Sequence, residues 1–140
     1  MRSKLRKSKN VILSEKGLVN SSVWESEMKD CPTTLVRLIR EKLIKEMPTI
    51  NEKVNTYGHY FGYWKGQDED RAYLYVQKKG LRIDLCINRD NEKAIKEAGF
   101  EVHFVNNFQG RAGWLTGWRV PHNTENIETV MKWLCIAFRQ

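Results

Sequence analysis

The 140 residues suffice to bury one sizeable core but not two independent ones, and a composition of 41% hydrophobic and 29% charged residues is that of an ordinary globular chain. No apolar run approaches the roughly 20 residues of a membrane-spanning helix, so a membrane partner is not expected. Lys and Arg outnumber Asp and Glu by 24 to 17, a net charge of +7, and the excess is concentrated: Arg2, Lys4, Arg6, Lys7 and Lys9 occupy the first ten residues with no acid among them.

That distribution describes a mobile basic arm on a near-neutral body, able to attract a polyanion; a solvated tail without a partner is the plainer alternative. An acid-free start bearing Arg and Ser also has the composition of an organelle presequence. Val11-Ile12-Leu13, interrupted at once by Ser14-Glu15-Lys16, is too short for a signal-peptide core. Cys31, Cys86 and Cys135 are odd in number and lack C-x-x-C spacing, which predicts a reducing, cytoplasmic location and no disulfide framework.

Residues 1–30 read as the basic arm followed by an irregular or partly helical lead-in anchored by Trp24, and residues 31–140 as a single domain. Thr33 or Thr34 caps a helix whose Leu35, Val36, Leu38, Ile39, Leu43, Ile44 and Met47 recur at helical spacing, with Arg37, Arg40, Glu41, Lys42, Lys45 and Glu46 on the other face and Pro48 as the stop. Val54 to Trp64 reads as a strand or strand pair bent at Gly58 and Gly62. Residues 66–70 form an acidic turn into the next strand.

Arg71 to Val76 and Leu81 to Asn88 are two β-patterned runs meeting at Lys78-Lys79-Gly80. Leu81, Ile83, Leu85 and Ile87 alternate with Arg82, Asp84, Cys86 and Asn88, predicting one buried and one polar face; Gly80 is expected to take the positive φ of a tight turn that exposes the lysines. Asp90 to Ala98 reads as a short helix capped by Asp90 and stopped at Gly99. Strands follow from Glu101 and from Trp114 to Val120, with a Gly-rich loop between them. A last helix, capped by Asn123 or Thr124, aligns Ile127, Val130, Met131, Leu134 and Phe138 into a core stripe. The predicted fold is α+β, a mostly antiparallel sheet with helices packed on one face, in the order α-β-β-β-α-β-β-α.

From Leu35 onward, about three quarters of the chain, the run of a helix, the hairpin Val76-Gln77-Lys78-Lys79-Gly80-Leu81-Arg82, a Gly-Trp strand and a closing amphipathic helix resembles a known family. It is a small bacterial and archaeal family of unknown function, sometimes labelled "predicted transport protein", found alone or fused to the ends of larger proteins including defence-type nucleases. More distantly the chain is similar to YjbR-type α+β domains with a frataxin-like or double-wing sheet, which are often suspected of binding DNA. The resemblance implies an α+β sheet and association with DNA, and it carries no established catalytic residues to transfer.

Three constellations bear on function. Tyr57, His59, Tyr60, Phe61, Tyr63 and Trp64, flanked by Lys53 and Lys65, supply rings able to stack bases, although strand alternation sends about half of them to the core. Trp114 and Trp118, four residues apart, are expected on the same face of their strand, lining a groove with Arg111 and Arg119 or packing inward beside Trp133. Asp70, Gln77 and Lys79 faintly echo a nuclease's acid and Gln-x-Lys element, but they fall on one strand rather than two. His59, His103 and His122 share no ligand spacing, so neither metal nor cofactor is expected.

The leading expectation is a non-catalytic module associated with DNA or RNA. The arm residues Arg2, Lys4, Arg6, Lys7 and Lys9 supply non-specific attraction, and Lys78, Lys79 and Arg82, joined by Arg111 and Arg119, contact phosphate. The alternative is a protein-interaction or regulatory domain whose aromatic groove draws on Tyr60, Tyr63, Trp64, Trp114 and Trp118. A nuclease-like enzyme stands third.

Overall fold

The computed structural model describes residues 12–15, 17–28, 32–55, 60–67, 70–100, 102–105 and 114–139. In chain order they form β1 (Ile12–Glu15), α1 (Ser21–Met28), α2 (Thr34–Glu46), β2 (Ile50–Asn55), β3 (Tyr60–Lys65), β4 (Ala72–Gln77) and β5 (Gly80–Cys86). A 3-10 turn at Arg89–Asn91 leads into α3 (Glu92–Glu97), followed by β6 (His103–Val105), β7 (Trp114–Val120) and α4 (Ile127–Arg139). The strands make one antiparallel sheet in the order β1-β2-β3-β4-β5-β7-β6, so the fold is α+β.

The sheet forms where alternation is strongest. Ala72, Leu74 and Val76 of β4 and Leu81, Ile83 and Leu85 of β5 all point to one face and are buried, joined there by Val54, Phe61, Leu115, Trp118 and Val120. The helices supply the other half of this core: Trp24 from α1, Leu35, Val36, Ile39 and Leu43 from α2, Ile95 from α3, and Val130, Trp133, Leu134, Ala137 and Phe138 from α4. Each such side chain contributes about 1.5–3 kcal/mol on removal from water. The helices α2 and α4 pack on each other, and α4 also meets β5. No helix among the described residues is long and apolar enough to cross a membrane.

Several local expectations are corrected. Trp24 anchors the lead-in as expected, buried with its ring stacked 5.4 Å from Phe61, but the lead-in also adds a strand: β1 pairs with β2 from Ile12↔Asn55 to Glu15↔Glu52. A four-residue strand beside a charged break is too short to show a period. The run around Val54 is the strand pair, one of the two readings expected, but its first strand begins at Ile50, earlier than expected, since Glu52 at a buried position hides the alternation there. Gly62, expected as a bend, lies inside β3 and pairs in register with Lys53 and Tyr73, while Gly58 lies outside the described residues. A Cβ at Gly62 would come within 2.8 Å of Lys53 Cε and 3.3 Å of Tyr73 Cε1, so its bareness admits two neighbouring side chains.

Lys78-Lys79 is the two-residue loop between Gln77 and Gly80, as predicted. Gly80, however, does not have a positive φ; it is the first residue of β5, where a Cβ would stand 3.0 Å from the Val120 carbonyl oxygen of β7. Thr33 is the N-cap of α2 but its side chain makes no capping bond, and the turn before α3 is capped by Asn88, which accepts from the Asp90 amide at 2.9 Å. Arg40, expected on the solvent face of α2, turns inward to Glu52.

Candidate nucleic-acid interface

The residues alternating with the core positions make up the second face of the sheet, and the register lines them up in rows. One row runs Asn55↔Tyr60, Tyr60↔Tyr75, Tyr75↔Arg82 and Arg82↔Arg119, crossing β2, β3, β4, β5 and β7 in turn. Opposed side chains in antiparallel strands stand about 4.5–5.5 Å apart at Cβ, so neighbours along the row touch. Tyr60 and Tyr75 are half-buried with ring centres 5.0 Å apart, and the Arg82 guanidinium lies 4.7 Å from the centre of Tyr75. Asn55 donates from Nδ2 to the Tyr60 hydroxyl at 3.1 Å.

At the cationic end, Arg82 forks onto Asp84, donating from Nε to Oδ1 at 3.1 Å and from Nη2 to Oδ2 at 3.0 Å. Asp84 is buried and also accepts the Gly117 amide at 2.9 Å, which anchors the fork to β7. The Asp84 hydrogen bonds and charge hold the Arg82 pKa above its ordinary value despite partial burial. Arg119 is exposed and donates to Gln77 Oε1 at 2.6 Å, a neutral partner that leaves its charge uncompensated by that bond. Lys78 and Lys79 are exposed beside this end of the row, since Gly80 approaches the Arg119 side chain. Burial, reinforced by the Asp84 charge, pushes the Tyr75 phenol up to about 12.

The adjoining row, Lys53↔Gly62↔Tyr73↔Asp84, is more tightly closed. Lys53 Nζ and the Tyr73 hydroxyl both donate to Asp70 Oδ2, at 2.5 and 2.7 Å. Tyr73 stacks on Trp114 at 5.4 Å, and these two rings with Cys86 form a small buried cluster flanked by Tyr60 and Tyr75.

The sequence-derived sites divide accordingly. Lys78, Lys79, Arg82, Arg119 and Tyr60 are gathered on one end of one face. Trp64 is half-buried and paired opposite Asn51 at the far edge of β2–β3. Tyr63 is not on this face: it is wholly buried on the helix side, where its hydroxyl donates to Glu52 at 2.6 Å. Trp114 and Trp118 do not share a face either. A bulge between the Ile83 and Leu85 pairings, with Gly117 at φ 72°, inserts a residue into β7 and reverses the alternation, so Trp118 enters the core against Phe100 while Trp114 stays on the opposite face. The tryptophan groove is therefore absent. Arg2, Lys4, Arg6, Lys7, Lys9 and Arg111 lie outside the described residues.

Asp70 sits before β4 and Lys79 beyond its far end, so the nuclease-like residues are not brought together. Among the described residues there is no group of three or more His, Cys, Asp or Glu side chains able to hold a metal. Tyr73, Tyr75 and Asp84 were not singled out from the sequence, although the i, i+2 spacing of the two tyrosines around Leu74 put them on the face away from the core. A separate concavity of about 530 Å³ lies between α2 and α4, floored by Met131, Cys135 and Ile136 and rimmed by Lys42, Lys45, Lys132 and Arg139 with Glu46 and Glu128. Scans against family models, curated proteins and solved structures return no match to this chain.

Proposed function

We propose that this chain is a non-catalytic nucleic-acid-binding module whose contact surface is the end of the second sheet face formed by Lys78, Lys79, Arg82 and Arg119, with the basic N-terminal arm adding non-specific attraction. The supporting observation is the direct opposition of Arg82 and Arg119 across β5 and β7. Like charges opposite one another on a strand pair are unfavourable by themselves, and among the described residues Arg82 is paired with the acid Asp84 whereas Arg119 bonds the neutral Gln77. A phosphate bridging the two guanidiniums turns that repulsion into two charge-assisted contacts. The hairpin lysines extend the same positive end by two more charges. A cytoplasmic location accords with the free thiols of Cys86 and Cys135.

The test is fluorescence anisotropy with labelled DNA and RNA across a salt series. Each phosphate neutralised contributes about 0.9 to the slope of log affinity against log salt on duplex and about 0.7 on single strands. Replacing Lys78 and Lys79 with alanine is expected to weaken binding and reduce the slope by roughly one unit per lost contact, with little change in melting temperature. Equal binding by parent and variant at low salt removes the hairpin tip from the interface, and no binding by the parent removes the function.

The competing reading, a protein-interaction domain, is favoured by the cavity between α2 and α4 rather than by any aromatic groove, since its apolar floor and mainly basic rim suit an acidic amphipathic segment.

A further inference from the structure

We infer that the nucleic acid taken by this face is single-stranded, with unpaired bases stacked on Tyr60 and on the Arg82 guanidinium that covers Tyr75. This rests on the nucleic-acid reading above and makes it more specific. In a duplex the base faces are occupied by one another, so rings lying along a sheet gain nothing from it; phosphate-binding cations alone would serve. The row here is ordered otherwise. Its middle is the Tyr60–Tyr75 pair, 5.0 Å between ring centres, and the next position is a guanidinium plane 4.7 Å from Tyr75.

That plane is held rather than free. The two-point fork onto Asp84, itself tied to the Gly117 amide, fixes the Arg82 orientation and leaves its side chain 35% exposed. Planar guanidinium groups and aromatic rings are the two surfaces on which splayed bases stack, and both are sequence-tolerant because every base has a π-face. Arg119, directly beyond Arg82, and the Lys78-Lys79 loop beside it place cations where the backbone of a strand lying along the row would run. The described helices pack on the other side of the sheet, so none of them covers this row.

Three labelled probes of equal length test the inference against the full chain: a deoxythymidine oligonucleotide, an abasic strand with the same phosphates, and a duplex. The thymidine strand is expected to bind at least about ten-fold more tightly than the abasic strand. Tyr60→Leu is expected to lose about 5- to 150-fold for that strand, the range for one stacked base, with the salt slope unchanged, while Tyr60→Phe retains affinity. Because Tyr60→Leu could disturb the fold, Arg82→Lys provides an independent arm: it keeps the charge but loses the plane, and is expected to lower thymidine binding by a larger factor than abasic binding, which loses only the forked phosphate contact.

Equal affinity for thymidine, abasic and duplex probes, with both variants unchanged, overturns the stacking inference while leaving phosphate binding intact. Failure of all three probes at low salt overturns both.

Discussion

Replacing Arg40 with methionine should destabilise the protein by about 3–5 kcal/mol, the cost of stranding one member of a buried ion pair. The Glu52 side chain is wholly buried and accepts four hydrogen bonds: from Arg40 Nε at 2.8 Å, Arg40 Nη2 at 2.7 Å, the Tyr63 hydroxyl at 2.6 Å and the Val19 amide at 3.0 Å. Arg40 also donates to the Val19 carbonyl at 3.0 Å and lies 5.1 Å from the centre of the Trp24 ring. Losing it removes two of the four bonds, the compensating charge and the hydrogen bond from α2 to the Val19 carbonyl of the lead-in. Glu52→Gln keeps the shape and leaves a guanidinium that can reach solvent, so a smaller cost of about 1–3 kcal/mol is expected. The triple change Arg40→Met, Glu52→Leu, Tyr63→Phe removes every charge and hydroxyl together, and should be less destabilised than Arg40→Met alone. Urea denaturation measures all three, with the slope expected to stay constant. An Arg40→Met cost below about 1 kcal/mol, the value of a solvent-exposed pair, would refute the account of a dehydrated Glu52.

Leu134 is fully buried on α4, so Leu134→Ala should cost about 2–5 kcal/mol, whereas Lys132→Ala, losing only an ammonium 4.9 Å from the Trp133 ring, should cost about 1 kcal/mol or less; indistinguishable denaturation midpoints would refute the helix phase. At Gly117 the nearest atom to an added Cβ is His103 Cδ2 at 3.9 Å, so Gly117→Ala should lose about 1–2 kcal/mol through its φ of +72° alone, and Gly117→Asn less; unchanged melting of the alanine variant would argue against the bulge. The Tyr75 phenol, pushed up to about 12 from 10.0, contributes stability that is complete below pH 10 and lost as pH rises to about 12, because the unfolded chain ionises first. Phenolate absorbance titration of the parent against Tyr75→Phe checks this, and a Tyr75 step at pH 10 would contradict it.

Elements carried by local pattern were legible in the sequence. Alternation in 71–88 and helical spacing in 35–47 and 127–138 specify which side chains face the core, whatever surrounds them, and so the α+β class, the Lys78-Lys79 hairpin and the helices on one face could be read directly. The candidate site was legible in part, since exposed lysines at a turn and Arg82 on the polar face follow from the same alternation. What pairing across the sheet decides was not. That Tyr60, Tyr75, Arg82 and Arg119 form one row depends on strand register, which couples residues up to 59 apart between Tyr60 and Arg119 (119 − 60). The separation of Trp114 from Trp118 depends on one inserted residue at Gly117, and four-residue spacing without it implies the opposite. Glu52 reads as a surface carboxylate until Arg40, Tyr63 and Val19 surround it. A charge is buried only where donors from distant segments converge, and that convergence is a property of the tertiary structure.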